Sequence, residues 1–149
     1  MSGTWHIYDS FSERMADGTC DLDNDTFKCA LFTSSHTPAQ TDDAYSALAN
    51  EVANGNGYTT GGVTLTSVTW VESGGTVTFD CADISWTASG GSIVARYAII
   101  YDDTDAGKQL VALCLPDDTP ADITITDGNT GTLTIAGTGV FQSSGSWTL

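Results

Sequence analysis

Residues able to do chemistry are few in this chain and thinly spread. The histidines are His6 and His36, and a nucleophilic serine would need one of them as its base. Ser34 and Ser35 stand directly beside His36 in "TSSHTPAQT", and adjacent residues rarely form a working dyad. No G-x-S-x-G elbow is present, so His36 reads as an exposed loop residue. The glutamates are Glu13, Glu51 and Glu72, and no carboxylate pair stands out from the aspartate background as the acid and base of glycoside hydrolysis. The stretch "NGNGYTTGG" has glycines at 55, 57, 61 and 62, but it follows a predicted helix and lacks the lysine of a phosphate loop.

Metal ligation fares no better by spacing. Asp21, Asp23 and Asp25 in "DLDND" copy the opening of a calcium loop, yet Thr26 stands where the sharp turn needs glycine and Phe32 where the bidentate glutamate belongs. Cys20, Cys29, Cys81 and Cys114 contain no C-x-x-C pair and no zinc-ligand spacing. They read as small buried hydrophobes, or as thiols that form disulfides after release into an oxidising medium. The expectation is no catalytic residue, no metal and no cofactor.

Two features point to binding. Trp70 and Trp86 fall in neighbouring predicted strands, where exposed rings would stack on sugars and buried ones would fill the core. Arg96 sits inside the apolar run "SIVARYAIIY". Ile93, Ala95, Tyr97, Ile99 and Tyr101 alternate with Val94, Arg96, Ala98 and Ile100, which makes both faces largely apolar and the strand central. A guanidinium there needs a carboxylate. Asp80, Asp83 and the Asp102–Asp103 pair adjoin it, for an internal ion pair, and a contact across a subunit boundary is the other reading.

The elements that must position these residues are mostly strands. "IYDSFSERMADG" predicts a short helix capped by Asp9 or Ser10 and stopped by Gly18, and "TFKCALFTS" a strand with Phe27, Cys29 and Leu31 on one side. "DDAYSALANEVANGNG" predicts a second helix with Tyr45, Leu48 and Val52 at helical spacing. Beyond it come "GVTLTSVTWVE", whose apolar phase slips between Leu65 and Val68 as at a bulge, then "TVTFDC", "DISWTAS", "SIVARYAIIY", "KQLVALCL" and shorter strands. The turn signals "SGG" and "DDTDAG" mark hairpins. The expected fold is mainly β: a single-domain antiparallel sandwich or barrel over 1–149, with one or two short helices among the helical and loop elements of 8–57 and a β-rich 62–149.

Composition narrows the partners. The 149 residues carry 19 acidic groups against Arg14, Lys28, Arg96 and Lys108, a net charge of -15. Nucleic acid and anionic membrane surfaces are excluded as partners because both need clustered cations. The first residues show neither the basic nor the apolar region of a signal peptide, so synthesis in a cytoplasm is expected.

Roughly residues 8 to 115 resemble a set of small structural proteins from tailed bacteriophages, most specifically in "DLDNDTFKCALFTSS", "NEVANGNGYTTGG" and "ARYAIIYDD". The resemblance implies a virion component, made in the host cytoplasm, of the kind that decorates or cements the outside of the head. It implies the major capsid protein and further copies of this chain as partners, with a trimer as the expected assembly. Arg96, with Tyr97 and Tyr101, would then lie at a subunit contact, and Trp5 and Trp147 would anchor the chain ends to the domain or to a neighbour. Cys20, beside a turn, would be the thiol placed to bridge chains. A tail or spike module that binds host glycan through Trp70 and Trp86 is the alternative.

Overall fold

The computed structural model describes residues 1–117 and 119–145. It is 38% strand and 7% helical, with the strands in antiparallel sheets and one short α-helix near the N-terminus, consistent with a β-sandwich. The chain runs β1 (Trp5–Ile7), α1 (Phe11–Asp17), β2 (Phe27–Phe32) and then a long connection to β3 (Val63–Thr64). There follow β4 (Thr69–Ser73), β5 (Thr76–Asp80), β6 (Ile84–Thr87), β7 (Ile93–Ala95), β8 (Tyr97–Asp102) and β9 (Leu110–Cys114). The last are β10 (Ile123–Ile125), β11 (Thr130–Leu133) and β12 (Phe141–Ser144). No helix among the described residues is long and apolar enough to cross a membrane.

Five strands form one sheet in the order β1-β9-β8-β2-β3, so β8 is central, as its two apolar faces require. The other sheets are β12-β5-β4, β10-β7 and β11-β6. The main core gathers Phe27, Cys29, Leu31, Ala98 and Ile100 of the five-stranded sheet with Phe79, Ile84, Trp86, Ile93 and Leu133 of the others. Alternation along β2 and β8 sends Ala30, Phe32, Ile99 and Tyr101 to the opposite face, where Tyr8 and Leu110 complete a second cluster against Tyr45 and Leu48. β8 and β9 slip register between Ile100 and Tyr101, which pair with Ala112 and Leu110 and leave Val111 as the extra residue of a bulge.

Two expected strands prove to be corners. The phase slip after Leu65 is a break: Ser67 adopts φ 52, and the chain leaves β3 of the five-stranded sheet for β4 of another. "SIVARYAIIY" breaks at Arg96 in the same way, between β7 and β8. The alternation therefore restarts, and Ile93 and Ala95 share the main core with Ala98 and Ile100 instead of facing away from them. The "SGG" hairpin holds: Gly74 and Gly75 turn at φ 62 and 85 between Ser73 and Thr76, a conformation that glycine adopts without strain.

The helix over 42–57 does not form. Only a 3₁₀ turn at Tyr45–Ala47 remains, because the segment spends its backbone on neighbouring chain. Tyr45 N–H donates to Lys108 O (2.9 Å) and Val52 N–H to Leu31 O (2.8 Å), while Ala44 bridges Gln109 and Glu51 bridges Phe32. Helical spacing of Tyr45, Leu48 and Val52 is overridden by pairing to the sheet. The first helix does form, stopped by Gly18 at φ 81, but the Ser10 side chain makes no capping bond.

Glu51 holds this connection in place. It accepts hydrogen bonds from the Tyr45 hydroxyl, the Tyr58 hydroxyl (2.6 Å) and Gly61 N–H (2.6 Å). The Tyr58 oxygen in turn accepts the N–H of Leu31, in β2, at 2.9 Å. Removing that oxygen leaves a buried backbone donor without its partner. Tyr58→Phe is expected to lower unfolding free energy by about 1–3 kcal/mol in urea titration, with an unchanged far-ultraviolet spectrum.

Candidate functional site

Arg96 faces Asp122, not Asp80, Asp83, Asp102 or Asp103: its Nε lies 2.9 Å from Asp122 Oδ1. The side chains are 29% and 37% exposed, so the pair rests in solvent at the β7–β8 corner. Asp122 lies just before β10, which pairs with β7, and the sheet brings it to the arginine. Arg96 thus has its counter-ion within the chain and needs none from a neighbour. Tyr97 is half-buried against the His36 ring, while Tyr101 is 1% exposed, stacked on Tyr45 at 4.3 Å. Burial leaves Tyr101 no surface for a subunit contact. Trp147 lies outside the described residues.

The aromatic and thiol expectations divide similarly. Trp86 is 3% exposed and belongs to the core, whereas Trp70 is half-buried against Phe141, its strand in a different sheet. The two rings do not form a sugar platform. All four cysteines are buried, Cys20 at 2% exposure included, so its turn does not present it for bridging chains. Burial pushes the Cys29 thiol well above its ordinary value, and that of Cys81 up to about 12. His36, expected in solvent, is 5% exposed, with Nδ1 2.9 Å from Ala49 O and its ring between Phe32 and Tyr97. No serine completes a dyad with it among the hydrogen bonds of the described residues.

A roomy concavity lies at the β1 edge of the five-stranded sheet. It is a groove of about 530 Å³ lined by Trp5, His6, Ile7, Tyr8, Pro38, Ala39, Gln40 and Leu113. β1 pairs with β9 on one side and has no strand on the other among the described residues. Ile7 is 39% exposed there, beside Trp5 and Leu113. None of the eight lining residues is acidic, on a chain of net charge -15. Three residues of β1 are too short for their apolar and aromatic types to stand out by periodicity, so only Trp5 of this group was legible beforehand.

One carboxyl is withdrawn from water. Asp102, at the end of β8, is 0% exposed and organises the β8–β9 turn, its Oδ1 accepting N–H of Thr104 (2.8 Å) and Asp105 (3.3 Å). Burial pushes its carboxyl up to about 6, against those two donors, and the neighbouring Asp25 adds to the rise. Because this value lies above the ordinary one, folding takes up a proton between about pH 4 and pH 6. The group therefore supports the fold fully below about pH 4, and that support is lost as pH rises through about 6. Asp102→Asn, in urea unfolding with EDTA present, is expected to match the parent near pH 4 and exceed it above pH 7 by on the order of 2 kcal/mol. Arg96→Ala, by the same method, is expected to cost less than about 1 kcal/mol, since exposed pairs contribute little.

No family model matches the chain, and no curated protein and no solved structure matches it significantly.

Proposed function

We propose that the chain is a non-enzymatic structural protein of a bacteriophage virion, a decoration or cement subunit that docks on the outside of the head and touches further copies of itself. The sequence resemblance motivates the virion assignment, and the β1 groove is the observation that carries the docking role. Copies of a chain with net charge -15 repel one another over most of their surface. A stable contact has to form where carboxylates are absent and apolar surface is available. The lining of the groove has no carboxylate and carries Trp5, Ile7 and Leu113, beside an open strand edge whose backbone can pair with an incoming strand. Among the described residues, Trp5 is the one member of the expected contact set that lies there, so the contact moves from Arg96 and Tyr101 to Trp5, Ile7 and Leu113. Burial of Trp86 weighs against the glycan-binding alternative, since it removes half the platform.

Native mass measurement, with and without reductant, tests this reading. A closed oligomer, a trimer in the proposed arrangement, is expected in both conditions because the thiols are buried. Ile7→Asp is expected to yield a folded monomer that no longer protects phage heads against heat. A parent protein that stays monomeric and also fails to bind heads would overturn the proposal.

A further inference from the structure

The fold brings Asp102 beside Cys20 and Asp25, which are near one another in the chain and share no recognised ligand spacing with it. Sγ of Cys20 and one carboxylate oxygen each of Asp25 and Asp102 all lie within 4.8 Å of one another. Cys20 follows α1, Asp25 ends the turn before β2, and Asp102 closes β8. Their surroundings differ from those of an ordinary surface acidic cluster. Cys20 is 2% exposed and Asp102 0% exposed, and only Asp25 is partly open. Asp102 Oδ1 is occupied by the turn, whereas its Oδ2 is buried with no hydrogen-bond partner. An acceptor buried without a formed hydrogen bond costs free energy, which a proton, a reoriented donor such as the Cys20 thiol, or a cation can return.

We propose that Cys20, Asp25 and Asp102 form a binding site for a divalent cation of the zinc type. The donor set decides the class. A thiolate is a poor ligand for calcium or magnesium, which take oxygen, while zinc accepts one sulfur with carboxylate oxygens and fills its fourth position with water. The ligand atoms are near enough to close on one ion with small side-chain shifts. A shallow pocket of about 190 Å³, lined by Met15, Gly18, Cys20, Asp21, Leu22 and Trp70, opens beside Cys20, and Asp25 is partly open to solvent on its own account. In the absence of a cation, burial first and the charges of Asp102 and Asp25 next keep Cys20 a neutral thiol. Binding therefore releases the thiol proton to solvent, along with any proton held by the Asp102 carboxyl. The ion would clip the α1–β2 connection to the end of the central strand, independently of the β1 groove.

The test is a titration of the EDTA-stripped, full-length protein with Zn²⁺ alone and with Co²⁺ alone. Saturable binding of one ion per chain is expected, with a thiolate-to-cobalt charge-transfer band and a melting temperature that rises with free Zn²⁺. Cys20→Ser is expected to lose the band and Asp102→Asn the saturable binding. Asp23→Asn, an exposed carboxylate in the same turn, is expected to keep both. Asp25→Asn removes a ligand at a partly exposed position and reads the site even if a core variant fails to fold. Absence of saturable binding to the parent protein would overturn the proposal, as would binding that survives in Cys20→Ser, Asp25→Asn and Asp102→Asn alike.

Discussion

A sheet whose central strands are apolar on both faces has to be covered twice, and the rest of this molecule follows from that requirement. β2 and β8 bury Phe27, Leu31, Ala98 and Ile100 on one side and Phe32, Ile99 and Tyr101 on the other. Each large side chain so buried contributes about 1.5–3 kcal/mol relative to exposure, so neither face can be left to water. The other sheets cover the first face. The second is covered by irregular chain, principally the 33–62 connection, which has no ladder of its own to hold it flat. Glu51 takes over that task, receiving two tyrosine hydroxyls and a backbone N–H and so fixing the connection against β2. Gly62 shows how close the approach is: a Cβ there would stand 1.9 Å from the Cys29 carbonyl oxygen of β2. With φ at +74, the position excludes other residues on conformational grounds as well.

Charge imposes the second constraint. Each lysine and arginine has an aspartate partner within the chain: Arg14 with Asp43, Arg96 with Asp122, and Lys28 and Lys108 both with Asp103. The cations are thus consumed locally, at chain crossings and turns, and exposed carboxylates such as Glu13, Asp23 and Glu72 are left to solvent without one. Such a surface repels its own copies, which gives weight to places lined without carboxylates, as at the β1 groove, or where carboxylates crowd a buried thiol, as around Asp102. The two places suit different partners. An uncharged groove with an exposed isoleucine suits another polypeptide, and a buried oxygen without a donor suits a small cation.

Much of this was legible in the chain itself. Alternation in "TFKCALFTS" placed Phe27, Cys29 and Leu31 on one face, glycine pairs located the β4–β5 hairpin, and two apolar faces made β8 central, because side-chain period and turn conformation are local properties of the backbone. The net charge and the lack of a nucleophile–base or spaced metal motif were equally open to inspection. What only the tertiary structure decided was where local pattern meets non-local pairing. The helix spacing of Tyr45, Leu48 and Val52 yielded to hydrogen bonds with Lys108 and Leu31; the continuous pattern of "SIVARYAIIY" was cut at Arg96 where the chain changes sheets; and His36 was drawn from a polar loop to a place between Phe32 and Tyr97. The counter-ion of Arg96 and the grouping of Cys20, Asp25 and Asp102 belong to the same class. Strand pairing sets residues tens of positions apart side by side, and no local spacing encodes which ones will meet.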